Sequence, residues 1–250
     1  MKKERDLTSG NITSGLWAFA VPLMLGNVIQ QFYNLADTWI VGRYIGNIGL
    51  AAVGSSYTLM TFLTYIIIGL CLGNSTFISM EYGKKNIEKI RNGICISFVM
   101  ILAVTVGIII IFYGFLDEII KMLQVPKDTV ADMKVYLAYV FIGFFATFIY
   151  NYISNILRAI GNSVIPLIFL GVSVVLNVFL DILFVAVLKM GIMGAAVATV
   201  ISQYISALGT FGYYFFQYPQ LKVRKSDIKS NKSNFKSILS LSGFTCIQQS

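Results

Sequence analysis

Residues 159–180, AIGNSVIPLIFLGVSVVLNVFL, join Arg158 to Asp181 without one charged side chain. The run is 22 residues long, and about 20 apolar residues carry an α-helix across the hydrocarbon core of a bilayer. Five further uncharged runs, 7–36, 44–80, 92–116, 135–157 and 190–221, are at least as long. Together they place spans at about 15–40, 50–78, 92–115, 135–157, 164–187 and 193–216. A helix satisfies its own backbone hydrogen bonds where there is no water, so six such runs predict an all-α polytopic membrane protein. A β-barrel would show strands of about ten residues with alternating polarity instead. Composition agrees. Of 250 residues, 57% are hydrophobic and 12% charged, against about 25% charged in a soluble domain. Lys2, Lys3 and Arg5 resemble the start of a secretory signal, but no small-residue cleavage site precedes the long apolar run.

The net charge is +8, and its placement carries more information than its size. With the N-terminus in the cytoplasm, fourteen of the nineteen basic residues fall on the cytoplasmic side. They are Lys2, Lys3, Arg5, Lys84, Lys85, Lys89, Arg91, Arg158, Lys222, Arg224, Lys225, Lys229, Lys232 and Lys236. Arg43, Lys121, Lys127, Lys134 and Lys189 fall outside. This asymmetry orients membrane helices. It predicts a multi-pass protein of the cell membrane with a cytoplasmic N-terminus, and it leaves no basic surface to read as nucleic-acid binding. Histidine is absent, and Cys71, Cys95 and Cys246 have no paired spacing. A His- or Cys-ligated metal, a haem ligand or a Ser-His pair is therefore beyond this chain, and neither an enzyme nor a resident cofactor is expected.

Residues 1–216 read as one six-helix lobe, and 217–236 as a basic cytoplasmic linker. Residues 237–250 read as the start of a seventh helix, too short to span by themselves. The expected partner is a second six-helix lobe of the same full-length chain, since many transporters repeat a helical half. The loop 117–134 is expected outside, with a turn at Pro126. Gly69, Gly73, Gly107, Gly143 and Gly171, with the small cluster from Gly191 to Ala198, are expected at close helix contacts. Trp17, Tyr44 and Tyr218 are expected as interfacial anchors, and Pro22 as a possible kink in the first span.

Nine of the eleven acidic residues fall in tails or loops by these boundaries; Asp37 and Asp181 do not. A charged side chain near a helix centre costs about 2.5–3.5 kcal/mol on insertion scales. Asp37 precedes Arg43 by six residues and Asp181 precedes Lys189 by eight. At a rise of about 1.5 Å per residue both carboxyls lie at similar depth, about 9 and 12 Å from those basic residues, in the outer half of the membrane. Gly26, Gln30, Tyr33 and Asp37 share one helical stripe, and Asn177 lies one turn from Asp181. Thr199, Tyr136 and Tyr139 come from spans that enter from outside. These groups fit one outward-opening pocket for a proton or Na⁺, with Gln30 and Tyr139 on the substrate-facing wall. Aromatic groups beside an anionic site suit a small organic cation. The competing structural reading pairs Asp37 with Arg43, or makes it the cap of a kinked helix.

At these residues the chain resembles a known family. Ala36-Asp37-Thr38 with Val41-Gly42-Arg43 and Gly46, then Leu50-Ala51-Ala52-Val53-Gly54, is similar to the first-helix motif of the MATE (multidrug and toxic-compound extrusion) transporters. Leu157-Arg158-Ala159-Ile160-Gly161-Asn162 with Pro166, Asn177-Val178-Phe179-Leu180-Asp181, and Gly194-Ala195-Ala196-Val197-Ala198-Thr199 resemble motifs that follow in the same order. The resemblance implies a first lobe of twelve helices in two pseudo-symmetric halves, exchanging H⁺ or Na⁺ for cationic, often aromatic compounds. It carries over Asp37 and Asp181 as the ion-binding acids, with Tyr33, Asn177, Thr199 and Tyr136 as polar partners. Phe244 departs from it, standing where a proline is expected in the seventh helix. A lipid-linked saccharide flippase of the same superfamily is the alternative; it needs cationic residues in its cavity, and no Lys or Arg falls deep in a span.

Overall fold

The computed structural model describes residues 12–224, 227 and 232–249. Lys2, Lys3, Arg5, Lys225, Lys229 and Ser250, with residues 1–11 of the lobe and 225–226 and 228–231 of the linker, lie outside the described residues, as does the side chain of Lys232. Among the described residues eight α-helices follow in order: α1 Ile12–Tyr44, α2 Asn47–Gly83, α3 Ile87–Gly114, α4 Leu116–Met122, α5 Lys127–Ala159, α6 Val164–Asp181, α7 Gly191–Gln217 and α8 Lys232–Gln249. A π-helical turn, Ile182–Val187, extends α6, and a 3₁₀ turn, Pro219–Leu221, follows α7.

Among the described residues, α2, α3, α5, α6 with its π turn, and α7 are long and apolar enough to cross a membrane. The first expected span forms α1, 33 residues long. Along its middle Asn27, Gln30 and Gln31 are exposed and Asp37 is buried. The helix runs unbroken through Pro22.

Short polar joints set the turns. α5 ends in a Schellman-type turn: Gly161 takes φ +90°, its amide bonds Arg158 O at 3.0 Å, and the Asn162 amide reaches Leu157 O at 2.8 Å. Only glycine adopts that backbone without strain. Asn162 Oδ1 then accepts the Ile165 amide at 3.3 Å and starts α6. Pro166 falls in the first turn of α6, where no intrahelical donor is lost. The 117–134 segment is shorter as a loop than its sequence indicates. It holds α4, and α5 begins at Lys127 behind Pro126, whose carbonyl takes the Thr129 amide at 2.9 Å.

The helices pack in a closed order, α1 on α6, α6 on α7, α7 on α5, α5 on α2 and α2 back on α1, with α3 and α8 against the outside of α2. α5 is the centre, burying Phe141, Phe144, Phe148 and Tyr152. The Tyr152 hydroxyl donates to Ile94 O at 2.6 Å and lies 2.9 Å from Ser97 Oγ, tying α5 to α3.

Several expectations from sequence change here. Gly69, Gly73 and Gly143 stand at close contacts, but Gly107 and Gly171 face open space, because no other helix of this lobe packs against those positions. Gly191 serves backbone geometry, at φ +61°. Trp17 and Tyr44 are exposed, whereas Tyr218 is buried, bonded to Asn162 Nδ2 at 3.1 Å and stacked on Tyr214. Glu81, counted as a loop residue, is inside α2, buried and paired with Lys84 at 2.8 Å.

Two outcomes follow for purified protein in detergent. Gly143→Leu drives a side chain into Gln203 and Val200 of α7, and overpacking of this kind costs about 1–3 kcal/mol. Its thermal midpoint should drop by several degrees, while Gly107→Ala keeps or raises it; equal midpoints would contradict the packing described. Separately, Asp117 of α4 pairs with Lys134 of α5, whose hydrogen bond and charge hold the carboxyl below the usual aspartate range. That contribution is complete above the ordinary aspartate pKa and is lost as pH falls through the lowered value. Both side chains are exposed and screened, so Asp117→Asn should leave the midpoint at neutral pH nearly unchanged.

Candidate functional site

Asp37 and Asp181 meet inside the bundle. Asp37 lies on α1 and Asp181 at the last residue of α6, and α1 packs chiefly on α6. Asp37 is 7% exposed and Asp181 0%. The two carboxyls are direct neighbours, and Tyr33 and Tyr136 lie within electrostatic reach of both. Tyr33 of α1 donates to Thr199 Oγ1 of α7 at 3.4 Å, and Tyr136 of α5 adjoins the same threonine. Four helices that are far apart in sequence thus deliver side chains to one pocket. Asn177 is fully buried one turn before Asp181.

Local structure explains the arrangement. Asp37 and Tyr33 share a face of α1, and Gly26, two turns further along that face, lets Leu167 and Leu170 of α6 approach within 3.7 and 3.8 Å of its Cβ position. The small residues Ala195, Ala196 and Ala198 are fully buried on α7 beside Thr199, so α7 comes close enough for its hydroxyl to reach Tyr33. Immediately after Asp181 the helix widens into the π turn, with the Leu188 amide on Leu183 O at 2.9 Å. Single π turns are frequent at functional sites because they displace the neighbouring side chains from α-helical register. Nothing in the one-letter pattern signals this turn.

The pocket's polar atoms are left without partners. Asp37 Oδ1, both Asp181 carboxyl oxygens and both polar atoms of the Asn177 amide make no hydrogen bond. An unmet buried polar atom costs about 1–3 kcal/mol. Arg43 is exposed and makes no ion pair with Asp37, and Asp37 lies inside α1 and not at its end. Among the described residues no basic side chain contributes to the surroundings of either acid. Chemically, an unmet carboxyl oxygen can take up a proton or ligate a small oxygen-seeking cation. The described residues hold no group of three or more His, Cys, Asp or Glu side chains spaced for a metal, so a bound ion would draw on amide and hydroxyl oxygens as well.

Gln30 and Tyr139 stand apart. Gln30 is exposed on α1, and Tyr139 is half-buried against the α5 core. Neither is bonded to the acid cluster. On the other side of α1, Asn34 Nδ2 donates to the Tyr57 hydroxyl of α2 at 3.1 Å, a contact between helices that the stripe of Gly26, Gln30, Tyr33 and Asp37 did not include.

A bundle of long apolar helices around an acid pair defines a multi-pass membrane protein with a polar interior site. The MatE family model matches residues 22–183, which include both acids, and the chain belongs to that family, one of transporters and not of enzymes. A probable multidrug resistance protein of Bacillus subtilis (strain 168), YpnP, is 33% identical over 213 residues, 85% of this chain and 47% of its own length. A solved outward-facing MATE family transporter of the MOP superfamily aligns with 100% of this chain and 55% of its own, at 25% identity and TM-score 0.90. A MOP superfamily transporter from Pyrococcus furiosus, described as having a binding pocket of reverse polarity and a different function, aligns at 25% identity and TM-score 0.88, over 100% of this chain and 55% of its own. The chain spans about half the length of the relatives it matches.

Groups kept for binding are often kept at the expense of stability. Asp37→Asn and Asp181→Asn each remove a buried acid without changing its shape. Each should hold or raise the thermal midpoint at neutral pH, by an amount equivalent to at most about 2 kcal/mol. A loss of several degrees would show that the acids are structural.

Proposed function

We propose that the full-length protein is an ion-coupled antiporter of the cell membrane, its N-terminus cytoplasmic, that exports small organic cations in exchange for H⁺ or Na⁺. This chain supplies the first six-helix lobe, and a second lobe of the same protein completes the translocation path by alternating access. The observation that carries the reading is the pair of buried, adjoining carboxyls with three unpartnered oxygens.

Two carboxylates side by side cannot both stay charged in a low-dielectric site, so the pair favours taking up one positive charge. Facing outward, Asp37 and Asp181 collect a proton, or a Na⁺ whose other ligands are the Asn177 amide oxygen and the Thr199 hydroxyl. Facing inward they release it, and the emptied pair attracts an organic cation. Tyr33 and Tyr136 present aromatic faces beside the acids, which suits a cationic, aromatic guest. Gln30 and Tyr139 are assigned to the wall that the guest contacts as it passes. Each charge moved across 100 mV supplies about 2.3 kcal/mol, enough to shift an exchange equilibrium nearly fifty-fold. No resident cofactor is required.

Two findings support this reading over a saccharide flippase: the multidrug names of the relatives and, among the described residues, the absence of a basic side chain around the acids. Pocket polarity is the relevant discriminator, since a MOP superfamily transporter of different function shares the fold.

The test is transport by the full-length protein in proteoliposomes, with pH and Na⁺ gradients imposed one at a time. Efflux of a fluorescent organic cation should follow one gradient and not the other. Asp37→Asn and Asp181→Asn should each reduce it at least tenfold with unchanged protein level. Normal efflux in both variants would remove the acids from the mechanism.

A further inference from the structure

The end of α7 carries a row of outward rings. Ile205, Leu208, Phe211, Phe215 and Phe216 are exposed and share one side of the helix. Phe211 and Phe215 stack with centroids 6.1 Å apart, and Phe216 meets Phe215 edge-on at 5.8 Å. Elsewhere α7 packs on α5 and α6.

Past Gln217 the chain turns back on itself. Tyr218 is buried and its hydroxyl takes Asn162 Nδ2 at 3.1 Å. The Leu221 amide bonds Tyr218 O at 3.0 Å, and the Lys222 amide bonds Pro219 O at 3.3 Å. Leu221 is buried, and its carbonyl accepts the Tyr214 hydroxyl at 3.2 Å. Gln220 O accepts Arg91 Nη1 of α3 at 3.5 Å. This fixed turn returns Lys222 over Phe215, with Nζ 3.6 Å from the ring centroid. Among the described residues no carboxylate pairs with that ammonium, and Arg224, two positions on, is exposed beside it in sequence.

An ammonium seated on a ring gives up water on that side and gains the attraction of the ring face. Its three N–H donors still call for acceptors. The setting supplies them. α7 is an apolar span, so its end lies at headgroup level, where aromatic rings gather and basic groups meet anionic lipid. On the two-lobe reading above, the second half follows α8, which packs on α2 and α3. α7 stands across the ring of helices from the α1–α2 contact, so its row of rings faces lipid.

We propose that Lys222, Phe215 and Phe211 form a binding site for an anionic phospholipid, with the phosphate on the Lys222 ammonium and the glycerol and upper acyl chains along the rings. The turn that presents Lys222 also engages Asn162 before α6 and Arg91 of α3, so an occupied site ties together the ends of three helices.

The test uses the full-length protein in detergent. Phe216→Trp supplies a local fluorescent reporter, and the other tryptophans, Trp17 and Trp39 among them, are changed to Phe. Quenching by brominated phosphatidylglycerol is titrated against brominated phosphatidylcholine at one ionic strength. Phosphatidylglycerol should bind about fivefold more tightly, the effect of one basic residue near an anionic headgroup. Lys222→Gln should abolish that preference and Lys222→Arg should keep it. Phe215→Leu should weaken phosphatidylglycerol binding about threefold, by removing the ring face. Lys236→Gln, at the same end of the bundle, should leave binding within twofold. Equal losses in Lys222→Gln and Lys236→Gln would mean general surface charge only, and would overturn the proposal. Equal binding of the two lipids would overturn it too. Displacement of the lipid by glycerol phosphate would mark a site for free phosphate and reject the lipid assignment. The readout needs no transport, so its failure is distinct from a failure of the antiporter reading.

Discussion

Hydrocarbon offers no partner for a polar group, and the whole architecture answers to that. Helices satisfy most of their backbone amides internally, and the connections are short polar joints such as Gly161-Asn162. α1 packs on α6, α2 and α7, which enclose Asp37 while Asn27, Gln30 and Gln31 of the same helix stay exposed. Helix packing in such a medium depends on shape and hydrogen bonding more than on hydrophobic drive. That is why hydroxyl-to-carbonyl bonds recur between helices, as from Ser75 to Asn155 O at 3.1 Å and from Ser173 to Ser202 O at 3.0 Å.

Within that frame the acid pair is the exception. Elsewhere in the core the buried acids have partners: Glu81 bonds Lys84, and Asp227 bonds Arg91. Asp37 and Asp181 have only each other and the tyrosines, and like charges repel. A site in this condition is stable only when something positive occupies it or when one acid is neutral, which couples occupancy to the electrostatics of the whole lobe. The π turn after Asp181 lies against α1 and α7 as well as α6. Movement there reaches the pocket without passing through a loop.

The same contrast separates the two kinds of buried polar cluster. The Asp227 cluster pairs its carboxylate and carbonyl with Arg91, the Arg224 amide and Asn92, whereas the Asp37 cluster leaves three carboxyl oxygens without a partner.

The number and approximate place of the long helices were legible because span length is set by bilayer thickness and charge is excluded from spans, both properties of single segments. The two acids were legible for the same reason, since an uncharged run makes any carboxyl inside it conspicuous. Tyr33 and Asn177 could be placed by helical period from those acids, and Thr199 and Tyr136 by depth. Other features depend on which faces meet, and no single segment encodes that. Gly107 and Gly143 look alike in sequence, yet only Gly143 has a neighbour. Tyr218 reads as an anchor but lies buried because Asn162, 56 residues away, reaches its hydroxyl. Arg91 reads as a topology signal, and its bond to Asp227 spans 136 residues. Local chemistry determined that this chain enters a membrane and where its buried charge sits. Only the tertiary packing brought the acids together, left them unpaired and laid α8 against α2, because each of these depends on distances between segments that the order of residues does not contain.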